Sequence, residues 1–257
     1  MKILFASVLW VFSILTGFSQ GTIRYTESLK MEVKMDIPPE MADSPEMKAI
    51  MDQMNKASVS ERVLYFDAKQ CVYREYEDPS KKATKGGPNG DHMDFYMMVI
   101  KEDVISYHNL TTHILTESRD IFDKTFIVTD TAKKVKWKIT AEVDTIAGYR
   151  CMKATYMKDT VLVQAWFSTD LKASIGPDNL YGLPGAILKL DVDEGRRIVE
   201  ATSVDLKVPD SENLKAPKKG KKVTRKEYDA ILRKKLQEKA ELEGDDGNGT
   251  TIRIDMH

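Results

Sequence analysis

Histidine and cysteine are scarce in this chain of 257 residues, with four of the first and two of the second. The cysteines, Cys71 and Cys151, cannot alone make a structural zinc site, which takes four ligands. His108 and His113 are separated by five, so on one strand they would face opposite sides of a sheet, which argues against a shared metal. His92 lies in a polar loop and His257 is terminal. No metal and no cofactor is expected. Catalytic signatures are missing as well: there is no phosphate-binding glycine loop ending in Gly-Lys-Ser/Thr, no Gly-x-Ser-x-Gly elbow and no His-Glu-x-x-His pair. With 39 basic against 40 acidic residues the chain has no overall basic field, so nucleic acid is not an expected partner. Long apolar runs are absent too, with one exception.

That exception is residues 3–18, which carry no charge and follow Lys2. Gly17, Ser19 and Gly21 put small residues around a cut after Ser19 or Gln20. Charge, apolar run and small-residue site are the layout of a cleaved secretory signal, assigned to residues 1–20. The run is shorter than the roughly 20 residues a membrane span needs. No cysteine stands near the cut, so a lipid anchor is not expected. The rest is expected to be exported, to periplasm, outer membrane or medium, with no transmembrane segment. In such an oxidising compartment a disulfide joins Cys71 to Cys151; two separate buried thiols are the alternative.

The exported part reads as β-rich over residues 21–209. A first strand is expected over 23–35, stopped by Asp36-Ile37-Pro38-Pro39. Ser44-Pro45 opens a helix to about residue 56, with serine as N-cap and proline at the first helical position. Strands follow over 63–66 and 71–76, then a polar Gly/Pro loop over 78–91, then strands near 95–100, 104–109, 113–117 and 126–129. The clearest hairpin joins 149–157 to 160–167 through Lys158-Asp159. In that register Ala154 faces Val163 and Tyr156 faces Val161 on an apolar side, and Cys151 falls on the wetter side. Strands are also read over 186–192 and 197–208. Residues 210–257 are a basic connector, an amphipathic helix over 224–243 and a tail, packing on the same domain. Thr224 and Glu227 form a capping box, and Tyr228, Ile231, Leu232, Leu236 and Ala240 line one helix side. Residues 251–254 add a short terminal strand. The expected fold is α+β: a curved antiparallel sheet with helices packed on one side.

The most distinctive segment holds Gly176, Pro177, Gly182, Leu183, Pro184, Gly185, Ala186 and Ile187. Leu183-Pro184-Gly185-Ala186 fits a type II turn, with proline presetting φ and Gly185 accepting a positive φ. It reads as a structural corner feeding an apolar strand. Together with Ile146-Ala147-Gly148-Tyr149, Lys153-Ala154 and Ala165-Trp166-Phe167, this block resembles the GLPGLI family, with Ala186 in place of the motif's leucine. That family comprises exported Bacteroidota proteins whose function is largely unassigned, and its genes often lie near those of outer-membrane transporters. The resemblance implies an envelope setting and carries over no catalytic residue. The arrangement of elements is also similar, at the level of fold, to periplasmic lipoprotein carriers.

Met47, Met51 and Met54 share a helix face by i, i+4, i+7 spacing. They read as core filling, as an adaptable apolar surface for a ligand, or as thioether ligands for Cu(I). Asp191, Asp193 and Glu194 beside Gly195 read as a strand end and turn, and the lysines at 218, 219, 221 and 222 as a solvated linker. The function expected is therefore a non-enzymatic binding or carrier protein for a lipid, peptide or other apolar ligand. The alternative is an interaction subunit docking on an outer-membrane transporter or other envelope complex, and an unrecognised hydrolase ranks third.

Overall fold

A computed structural model describes residues 20–30, 34–35, 44–45, 57–76, 104–121, 124–244 and 252–253. Residues 1–19 of the expected signal, the methionines of the expected helix (Met47, Met51, Met54), the loop over 78–91 and the strand expected near 95–100 lie outside the described residues.

The chain is mostly β. In chain order the strands are β1 (Gly21–Leu29), β2 (Lys34–Met35), β3 (Ser58–Phe66), β4 (Gln70–Glu75), β5 (Ile105–Asn109), β6 (Ile114–Ile121), β7 (Lys124–Thr131), β8 (Lys138–Ile146), β9 (Tyr149–Lys158), β10 (Val161–Ser168), β11 (Ala186–Val192), β12 (Arg197–Asp205), β13 (Lys221–Thr224) and β14 (Ile252–Arg253). Twelve of them form one sheet in the order β13-β7-β6-β5-β4-β3-β1-β12-β11-β10-β9-β8, and β2 pairs with β14. Each neighbouring pair in the large sheet is antiparallel except β13 and β7, which are parallel. The sheet is therefore mixed at one edge rather than wholly antiparallel. One α-helix, α1 (Arg225–Gly244), is present among the described residues.

The sheet must curl. β7 and β8 stand ten strand spacings apart, about 48 Å if the sheet were flat at about 4.8 Å per spacing. The connection between them, residues 132–137, can reach only about 25 Å even when fully extended. The two flanks of the sheet are thus drawn towards each other, and β8 also touches β12. The ends do not join. One free edge, β13, exposes Lys221 and Lys222. The other, β8, is exposed along most of its length and breaks register between Ile139 and Val143. Edge lysines and bulges are what keep open strands from pairing with other chains.

Alternation builds the core. In β10, Val161, Val163, Ala165 and Phe167 are buried while Leu162, Gln164 and Trp166 are partly covered. Val163, Ala165 and Phe167 join Ile23 and Tyr25 of β1, Leu64 and Phe66 of β3, Ala154 of β9, Leu188 and Leu190 of β11 and Val199 of β12 in one cluster. On the other side of β10, Trp166 lies between the ammonium groups of Lys153 and Lys189, 5.3 and 5.4 Å from its ring centroid.

The β9–β10 hairpin forms, with its register displaced by two residues from expectation: Val163 pairs with Tyr156, Ala165 with Ala154 and Phe167 with Met152. The turn is Asp159-Thr160, and Asp159 takes φ +53. Aspartate tolerates the left-handed region better than lysine does, which favours this position over Lys158-Asp159. A slip of two keeps each side chain on its expected face, so the apolar set is unchanged. Cys151 departs from expectation: it is fully buried, within the main core cluster. β8 was not anticipated; it joins β9 through Ala147 (φ +49) and Gly148 (φ +83), a pair suited to a tight hairpin.

The connector is folded onto the sheet rather than solvated throughout. Ser211–Leu214 forms a 3-10 turn in which Asp210 accepts from the Glu212 N–H at 2.9 Å, and Asn213 accepts from Arg74 of β4 at 2.8 Å. β13 then leads into α1. The capping box closes as expected: the Thr224 N–H donates to Glu227 at 2.7 Å, and the Glu227 N–H to the Thr224 hydroxyl at 3.3 Å. Tyr228 is buried against Ile121, Phe126, Val128 and Val223, with Ile231 and Leu232 packed beside it.

Candidate functional site

The segment between β10 and β11 crosses the inner face of the sheet and reaches β4 and β5. Leu171, Ala173, Ile175 and Leu183 bury their side chains in the main core cluster. Gly176 and Gly185 are where this segment lies closest to its surroundings. A Cβ on Gly176 would stand 2.8 Å from Ile187, and one on Gly185 would stand 2.0 Å from the Ser168 carbonyl oxygen. Pro177 and Leu183 are buried, Pro184 is exposed, and Ala186 and Ile187 are fully buried at the start of β11. The expected type II turn is not formed: Gly185 has no positive φ, whereas Gly182 has φ +108 and donates its N–H to Ser174 at 2.8 Å. Close backbone approach, rather than turn conformation, is what requires Gly185.

Within the segment, Asp178 and Asn179 adopt φ +56 and +58. Asp and Asn are the residues other than glycine that enter this region most readily. Asp178 receives both ends of the Arg197 guanidinium, one at 3.0 Å and the other shorter. Arg197 also donates to Glu27, which in turn accepts from Arg62 at 2.6 Å. Burial pushes the Asp178 carboxyl up, but the charge and hydrogen bonds of Arg197 more than offset it, leaving it below the usual carboxylate range. Tyr73, beside this cluster, has a buried hydroxyl with no hydrogen-bond partner among the described residues.

Asn179 serves a second cluster. Its amide donates to Ser106 and, at 3.3 Å, to Glu117, which is 6 % exposed. Glu117 also accepts from Ser106 at 3.3 Å, from Arg119 at 2.9 Å and from Arg225 at the start of α1. Burial again works to raise this carboxyl, and the two guanidinium groups win, so it is lowered. Tyr181 completes the set. Its hydroxyl donates to the Ala132 carbonyl at 3.0 Å, and its own carbonyl accepts from the Trp137 indole at 3.2 Å. One loop thus joins both flanks of the sheet to α1 through the side chains of Asp178, Asn179 and Tyr181 and their partners. A Gly-Pro-Asp-Asn sequence carries the turn chemistry that marks Asp178 and Asn179; nothing local marks Glu27 or Arg197, whose partners lie 19 or more residues away, and Glu117 has Arg119 near it in sequence but meets Asn179 and Arg225 from afar.

His108 and His113 are not held apart. The turn between β5 and β6 folds between them, with the His113 N–H donating to the Asn109 carbonyl at 2.8 Å. Their ring centroids come within 5.7 Å, and both pack on Tyr181. Burial, with His113 adding to it, lowers the pKa of His108 to about 4.

Cys71 and Cys151 are both buried free thiols, which corrects the expected disulfide. Each fills core space as a small apolar group. Burial pushes Cys71 up to about 12 and Cys151 up to about 11, so neither is an activated thiolate. Met47, Met51 and Met54, offered as an apolar ligand surface, lie outside the described residues.

An open groove lies elsewhere. A groove of about 780 Å³ runs between the end of β7 and the first turns of α1, lined by Thr129, Asp130, Thr131, Lys133, Arg225, Lys226, Asp229 and Arg233, among others. Arg225 is engaged by Glu117 and approaches Asp130 at 4.0 Å. Lys133, Lys226 and Arg233 make no ion pair among the described residues. Among the described residues no helix is long and apolar enough to cross a membrane.

No protein-family model matches the chain, and no curated protein matches it. Among solved structures it is similar to PNGF-II in two crystal forms. The match in space group P21 has a TM-score of 0.53 at 18 % identity, covering 84 % of this chain and 34 % of that one. The match in space group C2 has a TM-score of 0.55 at 19 % identity, covering 84 % and 33 %. The chain therefore spans about a third of the length of PNGF-II, and the likeness is one of fold.

Proposed function

We propose that this is an exported, non-enzymatic interaction protein of the cell envelope, which docks an anionic segment of an envelope partner in the groove between β7 and α1. The observation that supports it most is the convergence of Lys133, Lys226 and Arg233, without ion-pair partners among the described residues, on one open groove of about 780 Å³. Unpaired cations on one concave surface raise the local concentration of anionic partners and speed encounter. A carrier of apolar cargo, with helices over one side of a lipoprotein-carrier-like sheet, is the second reading, and the placement of α1 on β7 favours it. Against it, the loop carrying Leu171, Ala173, Ile175 and Leu183 occupies the inner face that such cargo would need.

Native mass spectrometry of the protein purified from its own envelope separates the two. Docking predicts a bare chain at high salt and a salt-sensitive complex at low salt. The triple variant Lys133→Glu, Lys226→Glu, Arg233→Glu should lose that complex without losing thermal stability. A stoichiometric lipid that extracts equally from wild type and variant would overturn docking in favour of the carrier.

A further inference from the structure

β7 outruns its neighbour at the sheet edge. β13 pairs with Phe126 to Thr129 and stops at Thr224, because α1 begins at Arg225. Asp130 and Thr131 carry β7 onward with no strand on that side among the described residues. On the β6 side, the Ala132 N–H donates to the His113 carbonyl at 2.7 Å. Ile114, opposite Thr131, turns its own N–H to the Thr112 hydroxyl at 3.4 Å. Successive residues of a strand direct their backbone groups to opposite sides, so the Thr131 N–H points to the open edge. There it meets the Asp130 carboxylate at 2.7 Å. A side chain stands where the carbonyl of an adjoining strand would be.

This open edge lines the groove between β7 and α1. Its two faces differ. α1 packs on the face that carries Phe126 and Val128, and alternation puts Asp130 on that face and Thr131, with Ile114, on the other. Lys226 and Arg233 of α1, both without ion-pair partners among the described residues, line the same groove, as does Ile114, which is 44 % exposed. An unpaired edge is a template for another chain, and main-chain bonds with alternate side-chain contacts are how extended peptides add to a sheet. We propose, resting on the anionic docking above, that the partner segment is an extended peptide that adds to β7 as a strand in the track β13 vacates. Its carbonyl takes the Thr131 N–H from Asp130, and the Thr131 carbonyl accepts in return. Acidic side chains alternate with apolar ones, the first turned to Lys226 and Arg233 and the second to Ile114.

The probe is a capped hexapeptide of alternating glutamate and valine, titrated into the full chain at low and high salt. Its depsipeptide version, with esters in place of amides, keeps the charges and removes the N–H donors. The amide peptide should bind in a salt-sensitive way and slow hydrogen exchange at Thr131, and the depsipeptide should bind at least about fivefold more weakly, the worth of one hydrogen bond. Asp130→Ala, which frees the Thr131 N–H, should tighten the amide peptide about fivefold. Equal, salt-sensitive binding of both peptides with Thr131 exchange unchanged overturns strand addition and leaves docking standing. No salt-sensitive binding of either peptide, in wild type or Asp130→Ala, overturns both.

Discussion

Replacing Gly185 by alanine tests how the motif loop is held. The new Cβ would lie 2.0 Å from the Ser168 carbonyl oxygen, 2.6 Å from its carbon and 3.0 Å from the Thr169 nitrogen. All three are backbone atoms, so no rotamer change can relieve the contact. The two chains would have to part by about an ångström where Ser168 pairs with Ala186 and Phe167 with Ile187. Overpacking costs about 1–3 kcal/mol, and loosening one or two hydrogen bonds adds about 1 kcal/mol each. A loss of about 2–5 kcal/mol follows, or roughly 4–20 °C in Tm for a chain of this size. Urea unfolding followed by tryptophan fluorescence measures it. Gly148→Ala is the control: its φ is +83 but nothing lies within 4 Å of the added carbon, so only the backbone cost of about 1 kcal/mol applies. If Gly185→Ala proves no worse than Gly148→Ala, the close-approach account of the motif fails.

Three more outcomes are expected. Glu117→Gln should cost about 3 kcal/mol at pH 7, because Arg119 and Arg225 lose a buried counter-charge. The Glu117 pKa is lowered in the folded chain, so its stabilisation is in place above about pH 4.5 and is lost as pH falls through the depressed value. The gap between wild type and Glu117→Gln should therefore narrow from pH 7 to pH 3, and a constant gap in urea midpoints would refute this. A disulfide-exchange thiol reagent should label neither cysteine in the native state, then count two thiols per chain in urea without reductant; none in urea would mean a bond. Tyr228→Ala should cost about 3–5 kcal/mol, the usual loss for a buried aromatic. Hydrogen exchange should then accelerate in α1 ahead of the central strands; uniform acceleration would show that helix and sheet open together.

Local chemistry announced some of this and long-range geometry hid the rest. β11 spans the residues expected of it, since a Gly boundary and an apolar run fix a strand without outside help. The α1 capping box needs only Thr224 and Glu227, three residues apart, and both bonds form. β8 escaped notice because an exposed edge strand, with Lys138, Glu142 and Asp144 in it, lacks an apolar face to betray it. β13 hid in a lysine-rich stretch for the same reason. Among the site residues, Asp178 sits beside a proline turn, but its partner Arg197 is on the far side of β11, and Glu117 meets Arg225 across 108 residues. Spacing on a single strand misled for His108 and His113 because a turn, not a strand, separates them.

The place of β1 sets the order in which the molecule can be completed. It is the first of the described strands in chain order, yet it sits in mid-sheet between β3 and β12, with Leu29 opposite both Ser58 and Arg197. As the chain folds from its N-terminal side, β1 can zip to β3 at once but must wait for residues near 200 before its other side is satisfied. Until then Ile23 and Tyr25 stand along an unpaired border of a half-built sheet, open to a neighbouring copy in the same state. Closure across so long a sequence gap is slow, on the order of milliseconds to seconds for such topologies. The interval in which this protein needs guarding is thus set by how quickly its last third follows its first strand.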